Sequence, residues 1–132
     1  MAAPRLTGLD HIVLCATDVE RTLEFYRRVL GMEPREERHG KWSLHFGAHK
    51  ISVQDARSVP EIARGTVPGS ANFCVLTVTP LREVIAHLER EQVSILDGPV
   101  ERAGATGRLL SVYFNDPDGS LVEVSNLLSL NP

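Results

Sequence analysis

Glu123 is the residue from which chemistry is most easily argued. It lies in the stretch Tyr113-Phe114-Asn115-Asp116-Pro117-Asp118-Gly119-Ser120-Leu121-Val122-Glu123-Val124-Ser125. Two alternating runs flank Asp116-Pro117-Asp118-Gly119. Proline presets the backbone of a turn and glycine accepts a positive φ, so this reads as a β-hairpin. On its second strand Val122 and Val124 point one way and Glu123 the other. A carboxylate on a strand's polar face needs solvent, a cation or a metal as partner. At the other end of the chain, His11 stands in Leu9-Asp10-His11-Ile12-Val13-Leu14, where alternation again separates it from the apolar positions Ile12 and Leu14. An imidazole and a carboxylate on polar strand faces are candidates for metal ligation or proton transfer.

The elements that must position them read as follows. Leu9 to Cys15 is a strand. Asp18 caps a helix in which Val19, Leu23, Tyr26 and Leu30 recur at helical spacing, and Gly31 ends it. Glu33 to Arg38 is a polar edge strand. His39-Gly40 turns into Lys41 to Phe46, and Gly47-Ala48 turns into Lys50 to Asp55. Residues 56–70 hold prolines and glycines without apolar period and read as a linker. The pattern then restarts: a strand from Ala71 to Val78 and a helix opened by Pro80 with Leu81, Val84, Ile85 and Leu88 as its stripe. A weak strand follows from Ile95 to Glu101, and then the hairpin. Leu127 to Pro132 reads as a frayed or docked tail.

The order strand-helix-strand-strand-strand thus occurs twice, over 9–55 and 71–125, within one domain spanning 1–132. Aligning the halves sets His11 on Asn72, Ser43 on Ser111 and His45 on Tyr113; Ser52 falls on Glu123, with Gln54 two places further along the same face. The expected fold is α+β: paired βαβββ modules forming a curved, open mixed sheet, each helix covering one face. The uncovered faces carry His11, Ser43, His45, Ser52, Gln54, Asn72, Ser111, Tyr113 and Glu123, a mixed polar set suited to lining a site. To act together, His11 and Glu123 must come within coordinating reach of a common point.

Composition excludes several classes. Net charge is −3, with 42% hydrophobic and 23% charged residues, as in an ordinary globular chain. No basic cluster suggests nucleic-acid binding, and no apolar run approaches the ~20 residues that span a bilayer. A signal region is missing from Met1 to Arg5, so the cytoplasm is the expected location. Cys15 and Cys74 lie in apolar runs without metal-knuckle spacing and are expected to be buried free thiols.

The motifs Leu9 to Leu14, Asp18 through Glu24-Phe25-Tyr26-Arg27-Arg28-Val29-Leu30-Gly31-Met32, and Phe114 to Val124 resemble those of the vicinal oxygen chelate superfamily. That superfamily includes glyoxalase I, bleomycin-resistance proteins, fosfomycin-resistance enzymes and extradiol dioxygenases. The stretch Gly98 to Gly107 is similar to that of small glyoxalase-domain-containing proteins. The resemblance implies the glyoxalase/bleomycin resistance fold, a homodimer, and a divalent metal (Zn, Ni, Co, Mn or Fe) held by His11 and Glu123. Asn72 occupies a third ligand position, where many members carry His; on the fourth strand Ser52 stands where other members carry Glu or His, with Gln54 the nearest oxygen donor. Neutral amides are weaker donors, and the two-His-one-carboxylate set of oxygen-activating iron is absent, which disfavours ring cleavage. The implied activity is lyase, isomerase or group-addition chemistry on a small vicinal-oxygen substrate, with Glu123 able to shuttle a proton. Tyr113 and Ser111 resemble substrate-contacting positions of fosfomycin-resistance enzymes, and Arg102, beside a glycine-rich loop, is placed to meet an anionic substrate. The alternative is a metal-free small-molecule binding protein of the bleomycin-resistance type. The sequence leaves open whether the modules pair within one chain or across a dimer.

Overall fold

A computed structural model describes residues 2–132. The first module runs β1 (His11–Ala16), α1 (Val19–Leu30), β2 (Glu33–Arg38), β3 (Lys41–Phe46) and β4 (His49–Asp55). The second runs β5 (Asn72–Leu76), α2 (Leu81–Arg90), β6 (Asp97–Ala103), β7 (Gly107–Asn115) and β8 (Leu121–Leu130). Each module makes its own four-stranded mixed sheet, in the orders β1-β4-β3-β2 and β5-β8-β7-β6. β1 pairs in parallel with β4, and β5 with β8, as a helical crossover requires. Strands β1 and β5 are therefore both edges of their sheets.

Local chemistry sets these boundaries. Asp18, in extended conformation, accepts the Arg21 N–H at 3.1 Å and so caps α1. Gly31 closes the helix at φ +67°, giving its own N–H to Arg27 O at 3.0 Å. The start of α2 is held from a distance: Asn126 on β8 accepts the Leu81 N–H at 2.8 Å and donates to Thr77 O and Thr79 O. Residues 56–70, read as a linker, contain two short 3₁₀ turns, Ala56–Ser58 and Glu61–Ala63. The tail read as frayed or docked is instead strand: β8 continues to Leu130, because β7 begins as early as Gly107 and pairs with it there.

The apolar faces of both sheets meet in one core. Leu14, Leu44 and Ile51 of the first sheet share it with Val112, Phe114 and Val122 of the second. Helix α1 links the halves. The Tyr26 ring stacks 6.4 Å from that of Phe73, and Phe25 lies 6.3 Å from Phe114. The fully buried Tyr26 hydroxyl donates to Asp116 Oδ2 at 2.8 Å, while Asp116 Oδ1 accepts the backbone N–H groups of Asp118 and Ser120. The hairpin turn of the second module is thus tied to the helix of the first. No helix among the described residues is long and apolar enough to cross a membrane.

Candidate functional site

The polar face of the second sheet gathers three of the side chains singled out above, with Asp97 beside them. Cys74, Glu123, Tyr113 and Asp97 lie opposite one another across β5, β8, β7 and β6. Arg102 Nε donates to the Tyr113 hydroxyl at 3.1 Å, and the guanidinium lies over the Tyr113 ring, 5.5 Å from its centre. A second guanidinium nitrogen reaches Asp97 at 3.3 Å. Glu123 accepts from Ser125 Oγ at 3.3 Å. Ser125 in turn shares a 2.6 Å hydrogen bond with Ser111 and a 3.2 Å contact with the Cys74 thiol. Burial, and then the interaction of its hydroxyl with the Glu123 carboxylate, push the Tyr113 phenol above its ordinary value. Tyr113 thus stands between Arg102, which it contacts, and Glu123, which faces it across the strands. Ser111 is fully buried and stands directly opposite Ser125 on the same face.

The local sequence explains this placement. Gly98, at φ +97°, brings its Cα against the Ser111 carbonyl, where a Cβ would collide with backbone. The register of β6 on β7 shifts between Asp97 and Val100, and the strand beyond carries Arg102.

His11 and Gln54 lie on the other sheet. His11 Nδ1 is 2.8 Å from Asp10 Oδ1. It lines a groove of about 260 Å³ with Ser52, Gln54, Glu37, Lys50 and Trp42. Gln54 spends an amide hydrogen on the Asp55 carbonyl at 3.1 Å. Asn72 is exposed on the edge strand β5, two residues before Cys74. No hydrogen bond or ion pair among the described residues joins His11 to Glu123. Nor do three His, Cys, Asp or Glu side chains there stand together as a metal site. An imidazole, a carboxylate and two amide oxygens suit a divalent ion by type, but one chain supplies them from two sheets.

Three residues enter the site that the sequence reading did not single out. Asp97 anchors Arg102. On the first sheet Lys50 stands beside His11 and His45, and its amine binds both Glu37 carboxylate oxygens at 2.8 Å. Strand parity with Ser52 and Gln54 pointed to Lys50. Nothing local pointed to Glu37, which is the unpaired residue where the β2–β3 register shifts between Glu36 and Arg38. The expectation of two buried thiols holds for Cys15, at 3% exposure, and fails for Cys74, which is exposed because β5 has no neighbour on its outer edge. Both thiols are free.

A model of the glyoxalase/bleomycin resistance protein/dioxygenase superfamily matches residues 8–124. The chain belongs to this superfamily. Among superfamily relatives, it is 42% identical over 119 residues to the virulence protein STM3117 of Salmonella typhimurium, covering 89% of this chain and 82% of that one. It is 35% identical over 120 residues to the glyoxalase domain-containing protein RDO1 of Mycosarcoma maydis, covering 90% and 68%. The integron cassette protein VCH_CASS1 from the mobile metagenome of V. cholerae superposes with a TM-score of 0.88 at 40% identity, over 95% of this chain and 98% of that one. The paired modules expected from the repeat, and the superfamily fold that the resemblance implies, are the fold observed.

Proposed function

We propose that this chain is a cytoplasmic, glyoxalase-like metalloenzyme that acts as a homodimer on a small vicinal-oxygen substrate, by lyase, isomerase or group-addition chemistry. In the dimer, β1 of one copy lies along β5 of the other. His11 and Gln54 of one copy then face Asn72 and Glu123 of its partner and hold a divalent ion. The observation that carries this reading is the pair of uncovered edges. β1 and β5 each lack a neighbour on one side, and they expose apolar or soft side chains: Val13 at 46%, Leu76 at 62%, and Cys74. Bare edges of this kind invite pairing with another chain. Similarity to a glyoxalase domain-containing protein supports the enzyme class, and two free thiols suit a reducing compartment.

Bound in that position, the ion would polarise two neighbouring substrate oxygens. The protein's own part is to orient and to move a proton. Ser125 holds Glu123 by a hydrogen bond, and Tyr113, itself bound by Arg102, stands opposite it on β7, which places the carboxylate that takes up or returns the proton. Metal analysis of untagged protein tests the reading. A divalent ion bound near one equivalent per chain, and lost in both His11→Ala and Glu123→Gln, is expected; no binding after addition of Zn, Ni or Mn would overturn it.

A groove of about 560 Å³ between the edges of β1 and β5, lined by Ile12, Phe46, Ile51, Phe73 and Val75 together with Asp10, His11, His49 and Lys50, favours a second reading. It is apolar enough to hold a hydrophobic molecule without metal, as a binding protein of the bleomycin-resistance type does. Ligand binding that survives exhaustive chelation selects that reading.

A further inference from the structure

The first sheet contains an arrangement that neither reading uses. The β2–β3 irregularity leaves Glu37 unpaired, and its carboxylate reaches back over the polar face. Oε1 accepts from Ser43 Oγ at 2.8 Å and from Lys50 Nζ at 2.8 Å, with His45 Nε2 at 3.4 Å. Oε2 accepts a further 2.8 Å contact from Lys50. With the Ser43 hydroxyl donating to Glu37, Ser43 Oγ is left to accept from His45 Nε2 across 2.8 Å. Donors from β3 and β4 therefore converge on one anionic oxygen. Ser43 is 1% exposed, and the Lys50 and His45 side chains are 25% and 22% exposed.

These contacts, Lys50 first and then Ser43, hold the Glu37 carboxyl down at about 2. So acidic a group is a poor base at neutral pH, so proton transfer is not what the arrangement serves. The donors are fixed by two paired strands, whereas the anion comes from an irregular edge strand and is 39% exposed. Lys41 and Arg38 stand at the rim of the same groove with no ion pair among the described residues.

We propose that the donors Ser43, His45 and Lys50 form a binding site for a small oxyanion, a carboxylate or a phosphate ester, and that Glu37 occupies it as a resident stand-in until the ligand displaces it. The arriving anion exchanges one charge-assisted set of hydrogen bonds for another, while Glu37 swings to solvent. His11 and Gln54 line the same groove. Resting on the function proposed above, this gives the substrate class: a vicinal-oxygen compound bearing an anionic group on its far end.

The test is titration with inorganic phosphate and with malonate at fixed pH and ionic strength, followed by calorimetry and by the His45 imidazole resonances. The wild-type chain is expected to bind one or both anions weakly, with His45 shifting. Glu37→Gln removes the competitor with little change in shape and is expected to tighten binding about 10- to 100-fold. Lys50→Met abolishes binding in either background, and the exposed neighbour change Glu36→Gln leaves it unaltered. Binding of malonate alone assigns a carboxylate ligand, and of phosphate alone a phosphate ester. Affinity in Glu37→Gln no tighter than wild type, or unchanged by Lys50→Met, overturns the proposal. So does a wild-type His45 resonance that neither anion moves, a measurement that needs no variant to fold. Because the titration requires neither metal nor Glu123, Glu123→Gln leaves it intact, and loss of the metal reading is seen separately.

Discussion

Replacing Tyr26 by Phe removes one oxygen from the centre of the molecule and nothing else. The ring is fully buried between Phe25 and Phe73, so its packing is retained and no cavity opens. What is lost is the 2.8 Å hydrogen bond to Asp116 Oδ2. Asp116 is 6% exposed, and its backbone donors, Asp118 and Ser120, serve the other oxygen. Oδ2 is thus left without a partner in a buried position. A hydrogen bond to a charged group contributes about 1.5–3 kcal/mol. We therefore expect Tyr26→Phe to cost about 2 kcal/mol, which for 132 residues lowers Tm by roughly 7 °C. Urea unfolding at pH 7 measures the first figure and calorimetry the second. Asp116→Ala supplies the matching arm of a double-mutant cycle, since with the acceptor gone Tyr26→Phe should cost little more. A cost below about 0.5 kcal/mol, or an equal cost in both backgrounds, would refute the argument that this contact ties the modules together.

Other consequences follow from single contacts. Burial, then the neighbouring Asp116 charge, raises the Tyr26 phenol far above its ordinary value of 10.0. Folding therefore favours the protonated form: its contribution is complete below pH 10 and declines as the unfolded chain ionises above it, so alkaline titration of a Tyr113→Phe chain should show the Tyr26 phenolate appearing only with unfolding. Glu37 has the opposite sign. Its depressed value of about 2 means a contribution present above its ordinary 4.5 and lost as pH falls toward 2, which carboxylate NMR of the folded chain checks directly. Asn126→Ala removes the acceptor for the first N–H of α2 and two donors to the preceding loop, at an expected cost of about 1–2 kcal/mol, with hydrogen exchange accelerated first over residues 81–90.

Much of the architecture can be read from short-range chemistry. Asp18 and Gly31 delimit α1, the Asp116-Pro117-Asp118-Gly119 turn fixes the last hairpin, and the double strand-helix-strand-strand-strand order yields two sheets. Alternation likewise brings Ser111, Tyr113 and Glu123 to one polar face. It does less well wherever a register slips. Glu37 gains its position from an irregularity in a strand of nearly unbroken polar residues, where no apolar period marks the fault. Asn126 caps a helix 45 residues before it, a pairing that only tertiary structure creates. Whether Cys74 is covered depends on β5 being an edge, which alternation along one strand does not encode. Local rules assign His11 and Glu123 to polar faces but are silent on how two sheets stand to one another.

That relation is also the hinge of the proposed function. Purified His11→Ala and Glu123→Gln chains, each unable to hold the divalent ion, should be mixed, allowed to exchange subunits, and titrated with metal. If each site draws His11 from one copy and Glu123 from its partner, every mixed dimer regains one intact site and metal binding returns. If binding stays absent while native mass spectrometry shows that mixed dimers have formed, the two residues do not serve a shared site across the dimer, and the account is wrong.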